Sequence, residues 1–406
     1  MADAVELPET PPPGARAPGE LPTYKGSAGW EFTPLPKGFS LDAYPHARGG
    51  AASPEPAFTP EGAVELRQVD DAFDRVPEAT VEGPLVMPLT QAVEQHGELV
   101  ARHLGTIVAD DETAFTARNA AEWEGGAFVY VPRNTQLEAP VSLTNVLATE
   151  GAALHTRVLV VLEEGAQAEV WEQTLSDVPG LVTTVVELVV GQNAHLRFVS
   201  AQDLDEKALV FGTQRARVGR DASLDWVVLG LGSGNGKVFQ NTILEGEGAQ
   251  GKVTGAYATR GRQHVDFDTT QEHAAANTTS DLAFRGILND RSSAVWRGMI
   301  KVDPGAQQTD AFQESRNLLV SKRAHADAIP GLEILANDVR CTHAAAIAQI
   351  DPDQVFYLRS RGLPKESAER LVVEGFLAEL VERFEEGPTR DQLAAVLERR
   401  LALVLG

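Results

Sequence analysis

The run Asp338-Val-Arg-Cys341-Thr-His343 places the chain's one cysteine two residues before a histidine. In an extended strand such a pair projects to the same side ~6.5–7 Å apart. A thiolate and an imidazole so placed reach one borderline metal, such as zinc or iron. Two donors do not close a tetrahedral site, and an iron–sulfur cluster normally takes four thiolates. A metal held here is therefore transient, or completed by ligands from another molecule. The competing reading is a buried structural thiol beside a surface histidine.

Other candidates are weaker. Asp266 and Asp268 alternate along one strand-like segment and form the kind of carboxylate pair that cleaves glycosides in some β-helices, yet 58 acidic residues make such pairs common. His264, His273 and His325 read as structural or solvent-facing. The cluster Gly230-Leu-Gly232-Ser-Gly234-Asn-Gly236-Lys237 fails as a phosphate-binding loop: Leu231 stands where the first glycine belongs and Val238 where Ser or Thr should hold magnesium. It reads as a loop.

The elements that must position these residues change in kind along the chain. Residues 1–60 form a proline-rich arm, since Pro8-Glu-Thr-Pro11-Pro12-Pro13-Gly14 suits neither a helix nor a central strand. Apolar residues return at Trp30 and Phe32, which allows the arm to dock later in the chain. Residues 61–125 read as helical, from the spacing of Leu89, Val93, Val100 and Leu104 and a second helix over 111–123 capped by Asp110 or Asp111.

From 126 to 348 short runs rich in Val, Leu, Thr and aromatics follow one another: Phe128–Val131, Arg157–Leu162, Thr183–Val190, Asp225–Leu229 and Asp281–Leu288. With no helix between them, a βαβ fold is excluded. Turns rich in Gly, Asn or Asp recur, each followed by a small residue and an alternating strand; Ala168, Ala194 and Ala222 stand 26 and 28 positions apart. Fainter echoes occupy 289–296 and 322–328. A period of that size with strands inside each unit predicts stacked coils, a mainly β fold with a parallel β-helix core; a β-sandwich is the alternative.

Residues 349–406 read as a helical domain. Asp351-Pro352-Asp353-Gln354 opens one helix ending at Gly362, and a second spans 364–384 with Leu371, Phe376, Leu377, Leu380 and Phe384 on its apolar face. Thr389-Arg-Asp-Gln392 caps a third, carrying Leu393, Val396, Leu397 and Leu401. This unit is expected to cover an open end of the coils, because a terminal coil exposes unpaired backbone, and to bury its apolar faces against the solenoid or against another protein.

Composition narrows the function classes. A net charge of −23 repels phosphate backbones and anionic headgroups, so neither nucleic acid nor membrane is an expected partner. No apolar run approaches the ~20 residues of a membrane span. Met1-Ala-Asp-Ala-Val-Glu lacks the basic and apolar parts of a secretion signal. One cysteine rules out an intramolecular disulfide and suits a reducing compartment, so a cytoplasmic location is expected.

Several segments carry a resemblance. Arg316-Asn-Leu-Leu-Val320, Leu332-Glu-Ile-Leu-Ala-Asn-Asp-Val-Arg-Cys-Thr-His343, Asp353-Gln-Val-Phe-Tyr-Leu-Arg-Ser-Arg-Gly362 and Val373-Glu-Gly-Phe376 resemble the SufB/SufD family of iron–sulfur cluster assembly proteins. So do Asn119-Ala-Ala-Glu-Trp123, Gly125-Gly-Ala-Phe-Val-Tyr-Val-Pro132 and Gly29-Trp30-Glu-Phe-Thr33. The resemblance implies a right-handed parallel β-helix with α-helical segments at both ends. It implies a non-enzymatic scaffold, paired with a second such subunit along the carboxy-terminal β-helix edge. The carboxy-terminal helices would dock the SufC ATPase, an ABC-type enzyme, with Tyr357, Arg359 and Arg361 as candidate contacts.

SufB-type chains carry cysteine where Ser315 stands and tend to have Glu where Ala344 stands. The chain is therefore similar to SufD, and its expected partner is a SufB-type subunit. Cys341 and His343 would be its side of a shared site for iron or a transient cluster. A SufB-like homodimer is the alternative. Some family assemblies are thought to take a flavin; no motif here identifies a site for one.

Overall fold

The computed structural model describes residues 19–51, 54, 56–78, 83–384 and 386–405; the run Pro8–Gly14 lies outside them. The chain opens with β1 (Val64–Val69), β2 (Ala72–Arg75) and β3 (Leu85–Pro88), then α1 (Leu89–Gln95), α2 (Gly97–Ala101) and α3 (Ala114–Glu122). The coils begin with β4 (Gly125–Val131), β5 (Val141–Val146), β6 (Ala153–Leu162), β7 (Gln167–Leu175), β8 (Leu181–Val190) and β9 (His195–Asp203). They continue through β10 (Leu209–Val218), β11 (Ser223–Gly230), β12 (Asn235–Leu244), β13 (Gln250–Thr259) and β14 (His264–His273). The last are β15 (Thr279–Leu288), β16 (Ser293–Val302), β17 (Thr309–Leu319), β18 (His325–Ile334) and β19 (Val339–Gln349). Three helices close the chain: α4 (Pro352–Ser360), α5 (Lys365–Val381) and α6 (Pro388–Leu405).

From β4 onward successive strands alternate between two sheets, giving a β-solenoid of about 8 turns. One sheet runs β18-β16-β14-β12-β10-β8-β6-β4-β3 and the other β19-β17-β15-β13-β11-β9-β7-β5-β1-β2. Every ladder is parallel except β1–β2 and β3–β4 at the amino-terminal end. The 61–125 stretch is thus only partly helical, because β1 joins β5 in the parallel ladder.

The turn chemistry explains the repeat. Gly165, Asn193, Asp221 and Gly248 all have positive φ, which glycine adopts freely and Asn or Asp tolerate. The next residue in each case, Ala166, Ala194, Ala222 or Ala249, is buried, and the small side chain lets coils stack. Gln167 pairs with His195 and His195 with Ser223, a step of 28 residues each time. Ala168 instead lies opposite Leu196, so the first interval read from sequence was two residues short. The echo at 289–296 belongs to the other sheet, entering β16.

Alternation then sorts the strands' side chains. One large buried cluster draws Val158 and Leu162 from one sheet and Val170, Phe198, Trp226 and Phe284 from the other, and this shared side is the lumen. Each such side chain contributes roughly 1.5–3 kcal/mol on burial.

At the amino-terminal end each sheet finishes in an antiparallel pair, while α1 and α2 pack Leu89 and Val100 against Phe128 and Leu159 on the outer face of the first sheet. The spacing Leu89–Leu104 breaks at His96 into two short helices. Helix α3 is capped by Thr113, not by Asp110 or Asp111: Thr113 accepts from the Thr116 amide at 3.0 Å, while Asp110 pairs with Arg157 at 2.8 Å.

The carboxy-terminal helices do not cover the last coil. Val373, Leu377, Leu380 and Phe384, with Leu393, Val396, Leu397 and Leu401 of α6, pack against Trp171, Val199, Val227 and Ile287 on the outer face of the second sheet. That strip of outward-facing apolar side chains offers more burial than the rim of one coil. Polar ties fix the docking: Lys252 Nζ donates to the Arg383 carbonyl at 2.6 Å and Asn289 to that of Val404 at 2.8 Å. Thr389 lies inside the first turn of α6 and donates to Glu169 at 3.0 Å. Asp351 caps α4 as its sequence predicts, accepting from the Asp353 amide at 2.9 Å, but Leu371 faces solvent.

Candidate functional site

Because the tail lies along the side, the solenoid ends in an open rim. β18 and β19 are edge strands, each paired on one side only. Leu332, Ile334, Leu335 and Ile347 are exposed along this rim. Two long unpaired edges with apolar side chains form a template for another chain.

Cys341 and His343 stand on β19. The ladder sets Cys341 opposite Ala311 and His343 opposite Gln313, both buried, so the two side chains continue the lumen-facing row onto the rim. Cys341 is half-buried and packs beside Ile300, Val302 and Ala311. Burial, together with the nearby Asp310 charge, pushes its thiol pKa upward. His343 is exposed. The structure thus separates the two residues: His343 is a free donor at an edge, whereas Cys341 is half packed and resists ionisation in the isolated chain. Among the described residues no three His, Cys, Asp or Glu side chains converge as a metal-ligand set.

Behind the rim the lumen is polar. Gln313, Ser315 and Asn317 follow one another on the inner side of β17, Asn317 donating to Ser315 at 3.3 Å and accepting from Tyr257 Oη at 2.5 Å. Deeper, Glu172 is fully buried with Thr174 at 2.9 Å and Asn145 at 3.2 Å, and burial raises its pKa to about 7. It lines a cavity of about 20 Å³ with Ser200, Gln202 and Gln214, large enough for one water. Glu172 was missed in the sequence, although Ala168, Val170, Glu172 and Thr174 share one face by simple alternation.

The remaining candidates are structural. Asp266 accepts from Lys237 Nζ at 2.8 Å and from Thr33, and Trp30 and Phe239 lie over the same ammonium. The arm therefore docks on the first sheet and seals the acids away from any groove. Asp268 is raised to about 6, chiefly by burial. Lys237, set aside with the glycine loop, is in fact the buried counterion. His264 bonds Thr33 and Ser293, and His273 bonds Thr278 and Ser280 inside the lumen, its pKa depressed to about 4 by burial. His325 is exposed and pairs with Asp327 at 3.1 Å.

On α4, Phe356 is 71% and Tyr357 57% exposed. Arg361 lies over the Tyr357 ring at 5.2 Å and donates to its hydroxyl at 3.2 Å. Neither Arg359 nor Arg361 has an acidic partner among the described residues. Two grooves flank the helix, one lined by Phe356, Arg359 and Leu363 and the other by Tyr357, Leu358 and Leu371, of about 500 and 490 Å³.

Comparison with known proteins bears on this arrangement. Residues 145–376 match the model described as "SUF system FeS cluster assembly, SufBD core domain", and 64–143 match "SufBD protein N-terminal region". Iron-sulfur cluster assembly protein SufD of Bacillus subtilis (strain 168) is 34% identical over 326 residues, 79% of this chain and 74% of the relative. A SufBD family protein of Staphylococcus saprophyticus is 29% identical over 73% of this chain and one of Staphylococcus epidermidis 28% identical over 73%; this chain spans 64% of each. The core model alone covers more than half the chain, every coil from the end of β5 to β19 included, so the chain belongs to the SufB/SufD family of SUF iron–sulfur cluster assembly proteins and is SufD-like within it.

Proposed function

We propose that this chain is a scaffold subunit that pairs with a SufB-type chain through the β18/β19 rim and docks a SufC-type ABC ATPase on α4 and α5. The observation that carries the pairing is the rim itself: the last coil ends in strands of 10 and 11 residues, β18 and β19, each unpaired on its outer side and bearing exposed apolar residues, whereas the other end finishes in antiparallel strands of only 4 residues. A partner's strands would continue both sheets, bringing its ligands to Cys341 and His343.

Iron or a transient cluster is then cargo held between the subunits. An imidazole ligates a metal through an unprotonated ring nitrogen, and the exposed His343 supplies the donor on this side. Cys341 becomes a thiolate only when a metal or a partner's positive group offsets its burial and the Asp310 charge. The exposed aromatics and unpaired arginines of α4 supply the ATPase-docking surface, and nucleotide hydrolysis belongs to that partner. A reducing cytoplasm suits the single cysteine.

Affinity purification of wild type and His343→Ala from native cytoplasm tests both parts. Both baits should retain a SufB-type and a SufC-type partner, while cluster loading falls in the variant. Unchanged loading removes His343 from the site. Recovery as a monomer without either partner overturns the assembly reading, and recovery as a cluster-bearing homodimer replaces it with a self-paired scaffold.

A further inference from the structure

Helix α6 and the solenoid enclose a cleft of about 490 Å³, within the ~300–1,000 Å³ of small-molecule sites. It lies on the tail side of the second sheet and includes no residue of the rim or of α4. Phe58, Leu231, Val396 and Leu403 supply apolar walls, and Arg399, Arg400 and Asp203 supply charge.

Arg400 is buried on neutral acceptors. Arg400 is 7% exposed, yet Nε donates to the Ala258 carbonyl at 3.2 Å and Nη2 to Gln263 Oε1 at 3.3 Å, both neutral acceptors. The Asp203 carboxylate stands 3.8 Å from Nη1, beyond hydrogen-bond distance. Arg399 also donates to a neutral group, the Ala57 carbonyl. Nearby Arg260 is already matched by Glu206 at 2.6 Å. Neither guanidinium hydrogen-bonds a carboxylate among the described residues, although Asp203, Asp177 and Glu206 lie within electrostatic reach of the cleft. A guanidinium removed from water without an anionic partner is costly, and burial lowers the Arg400 pKa accordingly. Burial, with the neighbouring Asp177 charge, also raises the pKa of Asp203, which weakens this counter-charge to Arg400.

We propose that this cleft binds a small organic anion, a carboxylate on a flat apolar body, with Arg399 and Arg400 pairing the carboxylate and Phe58, Leu231 and Leu403 holding the body. This site is independent of the rim and of the assembly reading. Guanidinium forks suit a planar carboxylate, and the apolar walls select against bare inorganic ions.

Fluorine NMR titration of the full 406-residue chain with 4-fluorobenzoate, and with neutral 4-fluorobenzamide as control, tests it. The benzoate should saturate with a Kd at or below about 1 mM, and the amide should bind at least about tenfold more weakly. Arg399→Gln should weaken the benzoate about tenfold, because Arg399 is exposed and Arg400 keeps its ties to the solenoid. Asp203→Asn should tighten it about threefold by removing the opposing charge. Ala395→Trp, at an exposed position on the lip, should block it. Equal binding of the two probes, no saturation by about 10 mM, or undiminished benzoate binding in both Arg399→Gln and Ala395→Trp overturns the proposal.

Discussion

Glu172 shows how far the lumen changes an ordinary carboxyl. Its folded pKa of about 7 lies above the usual 4.5, so the folded chain holds a proton that the unfolded chain releases. Stability is therefore highest below pH 4.5 as far as this group is concerned, and is lost as pH rises through 7. The loss amounts to about 3 kcal/mol at full ionisation. Glu172→Gln removes it: thermal melting at pH 8 should show the variant more stable by up to that amount, with the two proteins alike at pH 4.5. A variant no more stable at pH 8 than wild type would show that Glu172 is solvated. Cys341 presents the same principle in milder form. Burial and Asp310 oppose its thiolate, whereas His343 is exposed on the same strand face.

The arm illustrates how an element with little secondary structure is held. Trp30 stacks on Phe115 at 5.4 Å and meets Phe211 and Phe239 at 5.8 and 6.2 Å, while Thr33 reaches Asp266 and Glu31 pairs with Arg297 at 2.7 Å. Only Trp30 and Phe32 announced a docking contact in the sequence, and Phe32 proves exposed. Trp30→Ala should remove about 3–5 kcal/mol of arm docking. Limited trypsin digestion should then cut at Lys25 and Lys37 faster while the solenoid core persists; unchanged cleavage would show that the polar contacts suffice. The positive-φ turns were more legible, because Gly, Asn or Asp before a small residue is a local requirement of every coil.

At the scale of the molecule the two ends of the solenoid differ in kind. The amino-terminal coil finishes in antiparallel strands of 4 residues, β2 and β3, whereas β18 and β19 run for 10 and 11 residues with half their backbone groups unpaired. A lysine at an edge is a standard obstacle to strand addition. Ile347→Lys, at an exposed position, should leave the melting temperature of the isolated chain unchanged and abolish pairing, measured by sedimentation with a SufB-type partner. Retained pairing would place the interface elsewhere.

Local rules determined most of what was read from the residues alone. Alternation and turn chemistry dictated the coils, helix periodicity dictated the tail, and the Cys341–His343 spacing dictated a shared strand face, since each depends on neighbours within a few positions. Where the helical tail lies, which acid meets Lys237, and which way Glu172 is titrated depend on residues 27 to more than 200 positions apart. Such pairings are decided by which apolar faces and charges bury best together, and only the folded chain compares them.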